Sequence, residues 1–466
     1  MTRFRLALLL AFLTAAGGRA DEPKLLAKIA FGSCADQDKP LPIFDTIAAT
    51  KPELLLLIGD NIYADLDRGR KVTPEVIQEK YEALAKLPGF QKLKATCPIL
   101  ATWDDHDLGK NDAGAEFSFK DESQKLFLDF FGAAANDLRR TQKGVYSSAI
   151  YGPEAKRVQI ILLDTRYHRS ALKKAPYDPV NRIAGFLPNA DPDATVLGTE
   201  QWKWLEGELK KPAEVRLLIS SIQVIADEHP FEKWGNFPKE REKLYQLIRD
   251  TKANGVVILS GDRHLAEVSL DTKSVGYPLY DVTSSGLNQG AKAWRAPEKS
   301  THRVASMPYG DNFGMILIDW SGDNPRLTLQ VRDEDGDTTC GVKVRLSTLK
   351  STGKPVVVVE QPKLPEGILS PAQAAKKVGE KVTVQFAVAS TGGQANLYLN
   401  SDKDFRSKEN FAVVLTPKAK TGPWDKATGD TFKGKVIRAT GTIKLNKDTP
   451  QLEVTDPKQL EFVEAK

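Results

Sequence analysis

Cysteine is scarce in this chain: Cys34, Cys97 and Cys340 are the only three in 466 residues. Three thiols cannot build a disulfide framework, and an odd count leaves at least one unpaired in an oxidising compartment. Cys97 and Cys340 are the two that could join, if their separation allows it. Long hydrophobic runs are also missing. The longest, LALLLAFLTAA, follows the basic MTRFR and precedes the small residues GRA, so residues 1–20 read as a secretory signal peptide cut after Ala20. No adjacent arginine pair supports a twin-arginine route. Nor is there a strong excess of one charge. Removing Arg3, Arg5 and Arg19 leaves 63 basic residues against 61 acidic ones, a net charge of +2, so the pI of 8.8 is no nucleic-acid signature. Internal repeats and low-complexity segments are absent. The expectation is an exported protein, periplasmic, cell-surface or extracellular, with no transmembrane segment in the mature chain.

What is present is a regular alternation. KIAFGS, ELLLLIGD, ILATWDD, VQIILLD, VRLLISS and GVVILSGD are short runs rich in Ile, Leu and Val. Between several of them lie helical patterns such as TPEVIQEKYEALAKL and PKEREKLYQLIRDTK. Continuous apolar strands mean sheets covered on both faces, hence an α/β layered domain over residues 25–350. FGMILIDW, RLTLQVRD and VKVRLSTL follow closely and suggest antiparallel strands finishing the sheets. A Pro- and Gly-containing linker is expected over 351–364. Residues 365–466 then alternate apolar and polar, as in a small all-β domain of about five strands.

The polar residues gather where strands stop, which is where α/β sheets place ligands. The ends carry Cys34; Asp60, Tyr63 and Asp65; Asp104, Asp105, His106, Asp107 and Asn111; Asp164 and Arg166; Ser221 and Gln223; Asp262 and His264. One such end is ordinary turn chemistry, but six in one sheet are hard to explain that way. Carboxylates, a phenol, a thiol and an imidazole form a ligand set for hard and borderline metals. Without a cation, such aspartates would raise one another's pKa values. Each residue alone also has a plainer reading. Cys34 could be a small buried apolar residue, Tyr63 a packing aromatic, Gln223 a hydrogen-bonding amide and Arg166 an ion-pair partner of Asp164. His168, His229 and His302 show no ligand spacing and read as structural or surface residues.

GDNIYAD, WDDHDLGKNDAG, LDTRYHR, SSIQ and GDRH, in this order over residues 28–290, resemble the PhoD-like (alkaline phosphatase D) branch of the calcineurin-type metallophosphatases. The resemblance implies a four-layer sandwich, two mixed β-sheets flanked by helices. It places Cys34, Asp60, Tyr63, Asp105, Asp262 and His264 as metal ligands, with Asp60 bridging two ions and Tyr63 donating a phenolate. His106 would face the leaving group and Arg166 would clamp the phosphoryl oxygens. Asn111, Asp164 and Gln223 stand as possible supporting residues, and Asp65 as an outer-shell or turn-capping group. Cys34 occupies the place of a usual histidine, and the middle histidine ligand is replaced by Ser221 to Gln223. So anionic a set suits Fe(III) beside a hard divalent ion, and the resemblance implies iron with calcium, Zn²⁺ or Mn²⁺ standing as alternatives.

These residues imply a secreted phosphatase that hydrolyses phosphate monoesters, diesters or both by attack of a metal-bound hydroxide at alkaline pH. The rival is a non-catalytic binder of phosphorylated envelope ligands on the same scaffold. The C-terminal segment is similar to bacterial OB-fold domains, expected as a small all-β OB-like barrel. Its aromatics, from Phe386 to Phe432, are scattered among mixed charges, which argues against nucleic acid.

Overall fold

A computed structural model describes residues 24–463 except 178–183, 294–299, 308, 352–366, 394, 402–404, 406–409, 434 and 447–448. The expected signal peptide, and all of the expected linker but Ser351, lie outside the described residues. The chain divides into two compact units, Met1–Val356 and Val357–Lys466. Among the described residues no helix is long and apolar enough to cross a membrane.

The first unit holds two mixed sheets. One runs, edge to edge, Thr338–Arg345, Arg326–Asp333, Asn312–Asp319, Lys28–Gly32, Leu54–Ile58 and Ile99–Thr102. The last three strands are mutually parallel, and Asn312–Asp319 joins them antiparallel. The other runs Arg303–Met307, Ala266–Asp271, Leu279–Ser284, Val256–Ser260, Val215–Ile219, Val158–Leu162 and Ser147–Tyr151. Its four middle strands, Leu279–Ser284 to Val158–Leu162, are parallel. All six apolar runs form strands, and the late antiparallel strands Asn312 to Arg345 complete the first sheet only.

Burial explains the layering. Ile29, Phe31, Leu54, Leu56 and Ile58 of the first sheet share one core with the second sheet's Val158, Leu217 and Ile258. Their alternate neighbours Ala30, Leu55 and Leu57 face a second core built from Phe44, Ile47, Ile77, Tyr81, Phe90 and Phe127. Those residues belong to helices Ile43–Ala49, Pro74–Lys86, Pro88–Thr96 and Lys120–Phe130, which cover that sheet. Helices Gly198–Leu209 and Pro238–Asp250 pack Trp202, Leu205, Leu244 and Ile248 against the core that includes the second sheet. A sheet buried on both faces needs apolar side chains at every position, hence the unbroken runs.

The second unit is all-β apart from short helical turns. The five expected runs are strands, joined by the short strands Ile368–Leu369, Ser390–Gly392 and Leu460–Phe462. The strand path is open at Ile368–Leu369 and Ser390–Gly392, so the described residues form no closed barrel. Val384, Leu399, Val413, Ile437 and Leu452 make a separate core for this unit.

Cys34, Cys97 and Cys340 are all free thiols. The pairing open to Cys97 and Cys340 is therefore not made, and no disulfide contributes to the fold.

Packing is tight where Phe31 lies across the glycine of the next strand. Gly314 pairs with Phe31, and a Cβ there would come within 2.0 Å of the ring. Gly314→Ala is expected to lower stability by about 1–3 kcal/mol through overpacking, read from the urea midpoint. A loss under ~0.5 kcal/mol would show that the ring can move aside.

Candidate metal centre

The two sheets meet at one end. The Ser33 N–H donates to the Ser284 carbonyl at 3.2 Å and Leu287 N–H to the Ser33 carbonyl at 3.0 Å. Thr102 Oγ1 donates to the Leu163 carbonyl at 2.7 Å. These bonds bring together the carboxyl ends of Lys28–Gly32, Leu54–Ile58 and Ile99–Thr102 from one sheet with those of Val158–Leu162, Val215–Ile219 and Val256–Ser260 from the other. The six polar ends expected in one sheet thus come three from each. Strands buried on both faces carry no alternation that would tell one sheet from the other.

The turns leaving these strands are strained. Cys34, Asp60, Asp262 and His264 adopt positive φ of 66°, 46°, 71° and 53°. Non-glycine residues seldom occupy this region, and such strain collects at functional sites. Gly59 enters its turn at φ 123°, where a Cβ would lie 2.7 Å from that of Asp104. Only glycine lets the two turns approach so closely.

Cys34, Asp60, Tyr63, Asp105, His106, Asp262 and His264 come together at this junction. The Cys34 thiol donates to Asp60 Oδ2 at 3.4 Å and lies 3.1 Å from Ser285 Oγ. The Tyr63 hydroxyl donates to the same Asp60 oxygen at 3.3 Å and sits 3.1 Å from His264 Nε2. Potential ligand atoms lie within 4.8 Å of one another in the sets Cys34–Asp60–His264, Asp60–Asp105–His106 and Asp104–Asp105–Asp262. Asp60 belongs to two of these sets, and its Oδ1 is buried without a hydrogen-bond partner. His106 Nδ1 lies 2.5 Å from Asp65 Oδ1, while Asp65 Oδ2 accepts the Asn111 N–H at 2.7 Å. Asp65 therefore binds the His106 ring, and the Asn111 side chain turns to Asp112.

Arg166 lies differently from an open clamp. Its side chain is fully buried, with Nε donating to Asp104 and Nη1 donating to Glu232 Oε2 at 2.6 Å. Nη2 has no partner. Arg169 Nε stands 3.0 Å from Glu232 Oε1, but the angle is too poor for a hydrogen bond. Asp164 is no side-chain partner of Arg166. It caps the turn, accepting the N–H groups of Val145, Arg166 and Tyr167 at 2.8 Å each. Gln223 donates to Glu267 and Thr283 at 2.8 Å, beneath the site. Ser221, where a histidine was missing, donates to Asp104 at 2.6 Å.

Two residues escaped the sequence reading. Asp112 and Glu232 complete a fourth set with Asp105. Glu232 lies in a loop without periodic pattern. Its only signal is its place between aromatic residues in FEKW, where a charged side chain is apt to be buried.

Burial raises Asp60 well above the usual carboxylate range, with Cys34 and Asp105 adding repulsion. Burial does the same to Asp262, helped by Asp104 and Asp105. Asp104 is raised to about 7 by burial in spite of Arg166. Burial opposes ionisation of Asp105, but Arg166 and His106 hold it below the usual range. Burial also lifts the Cys34 thiol to about 11 and the Tyr63 phenol well above its ordinary value. Burial, His106 and Arg263 lower His264 to about 4, leaving a neutral ring with a lone pair. Burial would lower His106, but Asp105 and Asp65 prevail and raise it to about 9. Arg166 and His106 do not balance all of these carboxylates, and the orphaned Asp60 oxygen lacks a partner. Both fit a bound cation.

A group whose folded pKa is raised stabilises the fold while protonated and loses that contribution as pH rises through the folded value. His106 therefore takes stability from the metal-free protein as pH rises from 6.5 to 8, with Asp104 adding its share up to about 7, and Asp60 and Asp262 act in the same direction above the usual carboxylate range. His264 gains its stabilising effect below this window, between about 4 and the usual histidine value, and does not offset the loss. Chelator-treated protein should melt at lower temperature at pH 8 than at pH 6.5, and added metal should abolish the difference. A flat melting temperature would remove the charge argument.

The same stretch of chain is matched in known proteins. The model of the PhoD-like phosphatase family fits residues 29–287. Alkaline phosphatase D of Bacillus subtilis (strain 168) is 23% identical over 276 residues, which cover 52% of this chain and 46% of that protein. The chain thus spans about half the length of that relative. The solved structure of PhoD overlays with a TM-score of 0.53 at 17% identity, covering 72% of this chain and 74% of that one, and so shares the fold. The matched residues run from the first strand to the bonds that join the two sheets, and over them the chain belongs to the PhoD-like phosphatase family.

Proposed function

We propose that the chain is an exported metal-dependent phosphatase acting on phosphate monoesters and diesters at alkaline pH. The observation that carries this is Asp60: one buried carboxylate shared by two candidate ligand sets, with an oxygen left unpartnered. That is the arrangement a residue bridging two ions requires. Cys34, Tyr63 and His264 would hold one ion, and Asp105 and Asp262 the other. The thiol and phenol suit Fe(III) and the carboxylates suit Ca²⁺, with Zn²⁺ or Mn²⁺ as alternatives. When bound, the ions supply charge neutralisation and an activated water near neutral pH.

The chain's own groups do the rest. Asp65 takes His106 Nδ1, so Nε2 is the ring nitrogen left to give a proton to the departing alkoxide. The carboxylates that raise His106 to about 9 keep that proton in place up to about that pH. Contact with the tilted Tyr63 ring, centroids 4.3 Å apart, helps to fix the imidazole. Arg166 is assigned to balancing Asp104 and Glu232, with Nη2 the single guanidinium nitrogen open to a phosphoryl oxygen. Asp164 and Gln223 support the turn and the floor of the site.

His106→Ala should retain metal while kcat on an alkyl phosphate falls by about 10²–10⁴-fold, with a smaller loss on an aryl phosphate. Equal losses on both leaving groups would remove the proton-donor role. The purified mature protein should contain iron with calcium, show a visible charge-transfer band that Cys34→Ser and Tyr63→Phe each alter, and lose aryl phosphate hydrolysis to chelator. A colourless, active zinc protein would keep the phosphatase and overturn the ferric assignment. Absence of both metal and turnover would overturn the phosphatase.

A further inference from the structure

His229 lies in the loop between Val215–Ile219 and Pro238–Asp250, is 7% exposed, and has no hydrogen-bond partner at either ring nitrogen. Buried polar atoms nearly always find partners, so an orphaned pair asks for an absent one. Among the described residues, the charged groups that act on the ring are Arg263, Lys233 and Arg303, all cations. With burial, they hold the imidazole uncharged.

The surroundings are built rather than loose. Phe231 places its ring 6.1 Å from the imidazole, and the Arg263 guanidinium sits 4.2 Å over the same ring. Lys233 Nζ donates to the carbonyls of His229 and Phe231 at 2.6 and 3.0 Å. Arg303 Nε donates to Glu267 at 2.5 Å. The cluster also adjoins the candidate centre. Arg263 stands between Asp262 and His264, and Glu232, next to Phe231, reaches Arg166 and shares a ligand set with Asp105.

We propose that His229, Arg263 and Phe231 form a subsite beside the metal centre for a second anionic group, a carboxylate or phosphate on the leaving portion of the substrate. The inference rests on the phosphatase reading above and narrows its substrates to phosphate esters that carry another negative charge. An anion accepts from the imidazole N–H and meets the cations that surround it. An apolar leaving group would leave the imidazole without a partner, and a cationic one would also be repelled by the cations around it. Phe231 offers a flat wall to the carbon skeleton between the two anionic ends.

Two matched pairs of esters test this by phosphate release. Glycerol 2-phosphate against 2-phosphoglycerate adds a carboxylate, and fructose 6-phosphate against fructose 1,6-bisphosphate adds a phosphate. The native protein should favour the doubly anionic member of at least one pair by about tenfold in kcat/KM, expressed mainly in KM. The pair that shows the preference identifies the anion. His229→Phe and Arg263→Gln should each reduce the preference by about tenfold. Arg263 is half-buried, so its variant carries the test if the His229 variant does not fold. No preference in either pair, or a preference that survives both substitutions, overturns the subsite. Absence of turnover on all four esters by the native metal-loaded protein overturns the phosphatase reading, and the subsite with it.

Discussion

Buried negative charge is the constraint on which this molecule turns. Asp60, Asp104, Asp105, Asp107 and Asp262 are collected at the end of a sandwich where water does not reach most of them. A carboxylate in that setting must be protonated, paired or bound to a cation. The protein uses more than one of these answers. Arg166 pairs Asp104, and Asp107 accepts the N–H groups of Asn61 and Asp104 together with the Tyr81 hydroxyl. Asp60 and Asp262 are left with raised pKa values, and among the described residues neither forms an ion pair. The centre is thus defined as much by where the protein's own cations stop as by where its ligands begin.

Much of this was legible in the residues. Strand ends rich in Asp, with a glycine before Asp60, marked the site before any coordinates, because apolar runs fix where strands stop. The same runs concealed which sheet each strand joined. Ile29 and Ala30 are both buried, yet they face different layers, and no polar residue marks the difference. Partnership was equally hidden. Arg166 sits two residues from Asp164, but its guanidinium crosses to Asp104 and to Glu232, 66 positions away. Asp65 reads as a turn residue in GDNIYAD, and only the fold shows that its oxygen meets His106. Glu232 and His229 sit in a loop whose charged residues look like solvated surface until packing encloses them.

The second unit gives a different lesson. Its strands Lys381–Ala387 and Val436–Asn446 followed from alternation, since buried and more exposed residues take turns along them, whereas Ala412–Leu415 is buried throughout and reads only as a short apolar run. Closure did not follow, because it depends on short edge strands such as Ser390–Gly392 that carry almost no pattern of their own.

The bond between Ser33 and Ser284 joins residues 251 positions apart, and the candidate ligands straddle that interval from Cys34 to His264. A nascent chain that has not yet exposed Asp262 therefore possesses only part of the coordination sphere, however well its first strands have formed. Closing so distant a contact is among the late events of folding. On the metal reading proposed above, capture of the ions would wait on finished assembly, because a shorter chain lacks Asp262 and His264 from the candidate set.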